Sequence, residues 1–215
     1  MTLFVYSDQK KELTNYFLRS EIINRFFMET VISFYIDIEF AGSGMFFTKF
    51  QYRHDCQKIF QRFWSLKGYR EQVRNQMSSA IFERFLNCLI NDMTYCLEEG
   101  LVKMEKIKVF EARQDQEPGH ISKEDTDNNN QDRSICRANF QLAGECIWIV
   151  LQLSEWCKEI FKNEAFAERI ANTLNFVLKH LVGPEMVRVQ IKDPESVSFK
   201  QIKLLVELCT IYTNL

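Results

Sequence analysis

SAIFERFLNCLINDMTYCLEEGLVKMEKI, the sequence of residues 79–107, carries apolar side chains at intervals of three and four residues. This spacing is typical of an amphipathic α-helix with one broad buried face. Ser79 is a favourable N-cap, and the pattern continues to about Arg113. We therefore predict a long helix here, with an apolar stripe wide enough to pack against two neighbours.

The sequence upstream of this helix shows the same periodicity. Helices are predicted from Thr14 to about Phe40 and from Asp55 to about Leu66, and a short helical turn over Tyr69–Asn75. Gly42-Ser43-Gly44 ends the first helix, and the pattern over Met45–Tyr52 is ambiguous.

Helical periodicity resumes downstream. One helix is predicted from about Ile135, with a buried face that reaches Ile160, and another over about Glu164–Val182, where Gly183-Pro184 follows as a stop signal. Ser198 and Gln201 are spaced as a capping box for a last helix.

Two segments do not show this periodicity. Residues 111–134 hold seven acidic and three basic residues, Glu-Pro-Gly at 117–119 and three consecutive asparagines at 128–130. Such a composition is typical of a solvated segment, so we predict a mobile acidic and polar loop at 111–134. Val187, Val189 and Ile191 alternate with polar residues and predict a short extended piece.

The predicted fold class is all-α. Seven glycines and three prolines in 215 residues are too few for the turns of a sandwich or a barrel. The apolar stripes are too long for one small bundle, so a stack of antiparallel helices is the natural packing. The last helix reaches Leu215 without a stop signal. We therefore expect a piece of a longer protein, with an apolar face exposed at Phe199–Leu215.

Charge and hydropathy argue against two classes of partner. Lysine and arginine number 27 and aspartate and glutamate 29, for a net charge of −2, and no basic stripe is present, so nucleic-acid binding is not expected. A membrane span needs about 20 apolar residues in a row, and the sequence has no such run. The seven cysteines include no CxxC pair and suit small buried side chains in a reducing compartment. We expect a cytoplasmic location, with the nucleus as a second one.

The sequence predicts no catalytic, cofactor-binding or metal-ligating residue. His54-Asp55-Cys56 brings an imidazole near a thiol, but side chains at i and i+2 of a helix do not face each other. His120 and His180 are isolated, and three histidines without paired cysteines do not make a structural zinc site. No glycine-rich phosphate loop, HExxH or GxSxG pattern is present.

Three other groups of residues have both a functional and a structural interpretation. The acidic pairs Glu98-Glu99 and Asp115/Glu117 could serve acid–base chemistry in a cleft, but a solvated helix face is favoured. Asn91-Asp92 interrupts the apolar stripe and predicts hydrogen bonds to a neighbouring helix or loop rather than a binding role. A cluster of aromatic residues forms either an exposed partner site or a local core, and the core is favoured: Phe46, Phe47, Phe50 and Tyr52.

Several longer segments resemble a known protein family. They are YIDIEFAG at 35–42, KFQYR at 49–53, RFLNCLINDM at 84–93, LEEGL at 97–101, NTLNFVLKHLVGP at 172–184, KDPE at 192–195 and CTIYTNL at 209–215. Together they resemble the core region of the ubiquitin conjugation factors, which are chain-elongating ubiquitin ligases with a U-box, and most of all the animal factor A type. The resemblance covers residues 31–110 and 135–215, whereas the residues before Glu29 fit less well and the 111–134 segment does not match.

The resemblance implies a fold and a function. The fold would be an armadillo-like solenoid of antiparallel helical repeats, of which residues 1–215 form a part. Members of the family end in a U-box, which binds a ubiquitin-charged conjugating enzyme and promotes ubiquitin transfer without forming a covalent intermediate. The core would act as a scaffold in polyubiquitination and ubiquitin-dependent degradation, with a ubiquitylated substrate and an AAA-type unfoldase as protein partners.

The U-box is missing from this sequence. No segment of the 215 residues resembles it, so no residue is assigned to binding of the conjugating enzyme, and the chain alone is expected to be inactive. Two alternatives stay open. One is a stand-alone helical-repeat interaction module without an enzymatic role. The other is a small enzyme, which would need a polar cleft with perturbed titratable groups and would be favoured by a fast-reacting Cys56.

Overall fold

The computed structural model describes residues 19–40 and 46–215, and within these ranges the regular structure is entirely helical. The seven α-helices of these ranges are α1 (Glu21–Phe40), α2 (Phe46–Trp64), α3 (Lys67–Gln76), α4 (Ala80–Gln116), α5 (Lys123–Trp156), α6 (Glu164–Leu181) and α7 (Gln201–Asn214). Short 3₁₀ turns lie at Pro118–His120, Lys158–Lys162, Pro184–Val189 and Glu195–Val197. The all-α prediction is confirmed, whereas the armadillo-like arrangement of repeats stays a prediction.

A hairpin of two long helices forms the centre of the fold. Helices α4 and α5 have 37 and 34 residues and pack antiparallel. They approach closely at Gly100, because a Cβ atom there would lie 2.9 Å from Cζ of Phe140. Cys136 Sγ donates a hydrogen bond to the Gly100 carbonyl oxygen at 3.5 Å. The stripe predicted for residues 79–107 is buried, and it packs on α5 as well as on α1 and α2, through Phe85 among others.

Both helices of the hairpin have N-caps. Ser79 Oγ accepts a hydrogen bond from the Phe82 N–H at 3.3 Å, as predicted for α4. At the start of α5, Ser122 and Asp125 form a capping box, in which each side chain accepts from the backbone N–H of the other residue. Each cap satisfies N–H groups that lack a partner within the helix.

The prediction of a mobile loop at 111–134 is wrong. Helix α4 continues to Gln116 and α5 begins at Lys123, so residues 117–122 alone connect them. In the sequence these acidic residues suggest a solvated loop, because the basic residues with which they form ion pairs are remote along the chain. Glu111 Oε1 lies 2.5 Å from Nη2 of Arg133, and Asp132 Oδ1 lies 2.7 Å from Nζ of Lys103. These ion pairs connect the two helices of the hairpin.

Helices α1, α2 and α3 pack on the half of the hairpin that is remote from its connector. Their contact is an aromatic cluster centred on Phe60 of α2, whose ring stacks on Phe85 of α4 and on Trp64. Tyr69 of α3 meets the Phe60 ring edge-on at 5.7 Å between centroids. Such ring pairs add about 0.5–1.5 kcal/mol beyond the area that they bury.

Two predicted helices of this region have different bounds in the structure. Helix α2 begins at Phe46, so the ambiguous segment before Asp55 is helical from that residue on, and it ends at Trp64. The predicted short turn after it is confirmed as α3. The predicted start of the first helix at Thr14 and the break at Gly42-Ser43-Gly44 lie outside the described residues.

Helices α6 and α7 complete the fold. Helix α6 buries Phe166, Ile170, Leu174, Val177 and Leu181, as predicted, and contacts α4 and α7. It ends at Leu181, and Gly183, two residues later, does not take the left-handed conformation expected of a terminal glycine. Glycine is required there for space, because a Cβ would lie 2.7 Å from the carbonyl oxygen of Lys179.

Two short predictions for the α6–α7 connection are wrong. The predicted extended piece at 187–191 is mostly a 3₁₀ turn, Pro184–Val189. Ser198 does not cap α7, because it takes a left-handed conformation with φ of 61°. Gln201 Nε2 instead donates a hydrogen bond to the carbonyl oxygen of Leu181 at 2.6 Å.

Candidate protein-interaction site

A buried polar cluster lies where α1, α2, α4 and α5 meet. The Tyr35 hydroxyl donates a hydrogen bond to Asp92 Oδ2 at 2.5 Å, and Arg53 Nη1 lies 2.9 Å from Asp92 Oδ1. Gln57 Nε2 donates to the Tyr35 hydroxyl at 3.1 Å and to Cys146 Sγ at 3.0 Å. Burial, and then the nearby Cys146 and Asp92, raise the pKa of Tyr35, so its hydroxyl keeps the proton that it donates.

The structural interpretation of Asn91-Asp92 is confirmed. Asp92 belongs to the buried cluster, and Asn91 Oδ1 accepts from Arg169 Nη2 of α6 at 2.6 Å. Thr94 and Thr173 share a hydrogen bond of 2.8 Å beside this contact. The polar interruption of the stripe thus connects α4 to α1 and α2 on one side and to α6 on the other.

His54 and Cys56 do not form a catalytic pair. His54 Nδ1 lies 2.8 Å from Oε1 of Glu145, whereas Cys56 is buried in the core. Burial, with a smaller effect of Asp55, raises the pKa of Cys56 to about 12. The Cys56 thiol is therefore protonated and shielded, which is unsuited to a nucleophile.

The remaining candidates for chemistry are surface or packing residues. Glu98 is exposed and Glu99 lies 3.7 Å from Lys103, while Asp115 Oδ1 lies 2.6 Å from Lys192 Nζ. His180 is buried against Phe176, and His120 is exposed. In the part of the chain that the structure describes, no three His, Cys, Asp or Glu side chains come together in a group that could hold a metal ion.

The aromatic cluster of the sequence is divided between core and surface. Phe50 packs partly buried against the core, whereas Tyr52 is 42% exposed and contacts the Phe34 ring. The side chains of Phe46 and Phe47 lie outside the described residues. The core interpretation therefore holds for Phe50 but not for Tyr52.

An open groove lies along α5, and we call it the α5 trough. The sequence patterns did not predict it. Helix α2 forms one wall and α7 the other, and about 590 Å³ of space lies between them. The floor is α5 around Gly144 and Trp148. Gly144 could have indicated this groove from the sequence. A glycine inside a helix costs about 0.5–1 kcal/mol relative to alanine and usually has a steric reason.

The outer side of α7 is a second open surface. Ile202 is 79% exposed and Val206 59%, and Cys209 is exposed as well. These residues recur at intervals of four and three and so lie on one side of the helix. The apolar face expected at Phe199–Leu215 is therefore present.

No helix within residues 19–40 and 46–215 has both the length and the apolar composition that a membrane span requires.

Comparisons with known proteins agree with the resemblance. The family model described as the ubiquitin elongating factor core matches residues 1–215, a range that includes the residues before Glu29 and the 111–134 segment. The chain is 32% identical to "Probable ubiquitin conjugation factor E4" of Arabidopsis thaliana, over 88% of the chain and 19% of that protein. It is 32% identical to ubiquitin conjugation factor E4 A of Bos taurus, over 87% of the chain and 19% of that protein. For the E4 ubiquitin-protein ligase UFD2 of Saccharomyces cerevisiae the identity is 29%, over 93% and 22%. The chain thus spans about a fifth of the length of these relatives.

Proposed function

Because the chain belongs to the ubiquitin elongating factor core family, we propose that it is the scaffold portion of a ubiquitin chain-elongating factor. The observation that carries this proposal is the match of the family model to residues 1–215, together with relatives whose names state ubiquitin conjugation and ubiquitin ligation. The structure is compatible with a scaffold, because its helices leave open surfaces between α2 and α7 and along α7.

The proposed mechanism is proximity. A scaffold that holds an acceptor and a charged enzyme together raises their effective concentration and needs no nucleophile of its own. The buried, protonated state of Cys56 is consistent with a scaffold that has no nucleophile of its own. The proposed partners are a ubiquitylated substrate, an AAA-type unfoldase and, through a U-box outside these residues, a ubiquitin-conjugating enzyme. The free, mostly buried cysteines support a cytoplasmic location, with the nucleus as a second one.

A chimaera tests the proposal. The segment of the yeast UFD2 protein that aligns with this chain is replaced by residues 1–215, and the chimaera is supplied with a ubiquitylated substrate, activating and conjugating enzymes, ubiquitin and ATP. We expect it to lengthen the ubiquitin chains, whereas a control chimaera with an unrelated helical-repeat segment of equal length does not.

A folded chimaera that performs no better than this control contradicts the proposal. Circular dichroism and size-exclusion chromatography establish that both chimaeras are folded. That result would favour a stand-alone interaction module, for which the open surfaces of the fold are the supporting observation.

A further inference from the structure

The α5 trough has the dimensions of a helix-binding groove. Helix α2 follows α5 in the same direction, since His54 contacts Glu145 and Trp64 contacts Gln152. Helix α7 does so on the other side, from the Phe199–Phe140 ring contact to the Asn214–Ser154 hydrogen bond. The α2 wall spans residues 54–61 and the α7 wall residues 200–207, which is about 10 Å or two helical turns on each side.

The floor of the trough allows close approach of another backbone. A Cβ added at Gly144 would have no atom within 4 Å. Trp148, one turn further along α5, is half-buried and offers part of its indole ring. A small or apolar side chain of a docked helix could therefore lie over Gly144 and contact Trp148.

The walls of the trough hold three lysines and two glutamates. Lys58 and His54 project from α2, Lys200 lies directly before α7, and Lys203 lies in its first turn. Both carboxylates of the trough already have a lysine partner. Glu145, which is buried, lies 2.8 Å from His54 Nδ1 and 3.0 Å from Lys58 Nζ, and Glu207 lies 3.6 Å from Lys203 Nζ.

Lys200 makes the excess of positive charge available to a ligand. Its side chain is exposed and has no carboxylate partner within the described part of the chain. Lys203 is 65% exposed despite its contact with Glu207. An acidic ligand would thus be attracted, whereas a basic one would be repelled.

From these observations we propose that the α5 trough binds an acidic amphipathic helix of a partner protein. Its small or apolar residues lie on Gly144 and Trp148, and its carboxylates lie beside Lys200, Lys203 and Lys58. This inference extends the proposed scaffold function to one surface and one class of partner. The binding assay below contains no ubiquitin and no enzyme, so its failure is distinct from a failure of the chimaera.

The test uses fluorescence anisotropy of a labelled synthetic peptide. The probe is a helical peptide of about 16 residues with alanine and leucine on one face and glutamate elsewhere, and the matched probe carries glutamine at every glutamate position. We expect the glutamate peptide to bind at least about tenfold more tightly at low ionic strength, and the difference to shrink as salt screens the charges.

Three variants separate the trough from other surfaces. Gly144→Gln places a side chain on the floor without a clash and is expected to lower the affinity at least about tenfold, while raising helix propensity. Gly68→Gln is the matched control, because a Cβ at Gly68 of α3 is equally unobstructed. It should leave binding unchanged. The double variant Lys200→Glu, Lys203→Glu should reverse the preference and favour a lysine-containing peptide.

Four results would overturn the proposal. They are no binding of the glutamate peptide at about 1 mM, equal binding of the glutamine peptide, retained affinity in a folded Gly144→Gln protein, and dimers of the protein that Gly144→Gln abolishes. The last result would assign the trough to a second copy of the chain.

Discussion

Tyr35 donates a hydrogen bond of 2.5 Å to Asp92, which lies 57 residues further along the chain in another helix. The same carboxylate group lies 2.9 Å from the Arg53 guanidinium, so one buried acid connects α1, α2 and α4. Removing one partner of a buried ion pair is strongly destabilising, whereas removing an uncharged hydrogen-bond donor costs less. The two contacts of Asp92 can therefore be distinguished by experiment.

Asp92→Asn keeps the shape of the side chain and removes the charge that faces Arg53. We expect the free energy of unfolding to fall by about 3 kcal/mol, measured by urea denaturation. Tyr35→Phe is the control and should cost about 1.5 kcal/mol, since it removes the hydrogen bonds of the hydroxyl with Asp92 and Gln57 but leaves the ion pair with Arg53 in place. Equal losses in the two variants would contradict a dominant role of the ion pair.

Stability should fall at alkaline pH. Burial raises the pKa values of Cys56 and Cys136 to about 12, whereas an unfolded cysteine ionises near about 8.5. Below both values the two states hold the proton equally. Between them the unfolded chain has lost protons that the folded chain keeps, so the free energy of unfolding falls by about 1.4 kcal/mol per pH unit for each thiol.

Urea denaturation between about pH 8.5 and pH 10.5 measures this slope. Cys136→Ala should make it shallower by about 1.4 kcal/mol per pH unit, whatever the variant does to stability at neutral pH. A slope identical to that of the parent protein would show that the Cys136 thiol ionises equally in both states.

Gly183→Ala should destabilise the protein by about 1–3 kcal/mol, because the added methyl group would lie 2.7 Å from the Lys179 carbonyl oxygen. Gly68→Ala is the comparison, since its methyl group meets no atom within 4 Å. That change should be neutral or stabilising by up to about 1 kcal/mol. Thermal unfolding of the two variants side by side tests the difference, and a tolerated alanine at 183 would contradict the steric requirement.

The 215-residue chain by itself should not elongate ubiquitin chains. The core family model matches residues 1–215, and burial raises the pKa of the Cys56 thiol to about 12, which disfavours a covalent ubiquitin intermediate there. With purified activating enzyme, conjugating enzyme, ubiquitin and ATP, we expect no more polyubiquitin on an immunoblot than in a reaction without the chain. Polyubiquitin above this blank would show an activity within the core itself.

Much of the fold could be predicted because apolar periodicity reports directly on burial. The stripe of α4, the buried face of α6 and the N-cap Ser79 all appear as predicted. The wrong prediction at 111–134 has a specific cause, which is partners remote in sequence. Glu111 and Asp132 looked like loop residues, since neither Arg133 nor Lys103 is visible as a partner in a linear pattern.

The α5 trough could not be predicted from the sequence for the same reason, because its residues are remote from one another along the chain. Lys58 and Lys203 are ordinary surface lysines in the sequence, 145 positions apart. They become opposite walls of one groove only after α2 and α7 pack on α5. The sequence did contain Gly144, but a glycine inside a helix indicates close approach without identifying what approaches.

The short connector between α4 and α5 also sets an order in which the molecule can be assembled. Closing a loop over residues 117–122 costs little chain entropy, and the two helices that it joins are neighbours in sequence. Contacts of this kind form quickly, whereas those between α2 and α5 or between α4 and α6 must wait for longer loops to close. During synthesis the hairpin can form before α6 and α7 have been made. The hairpin then provides the surface on which α6 and α7 pack.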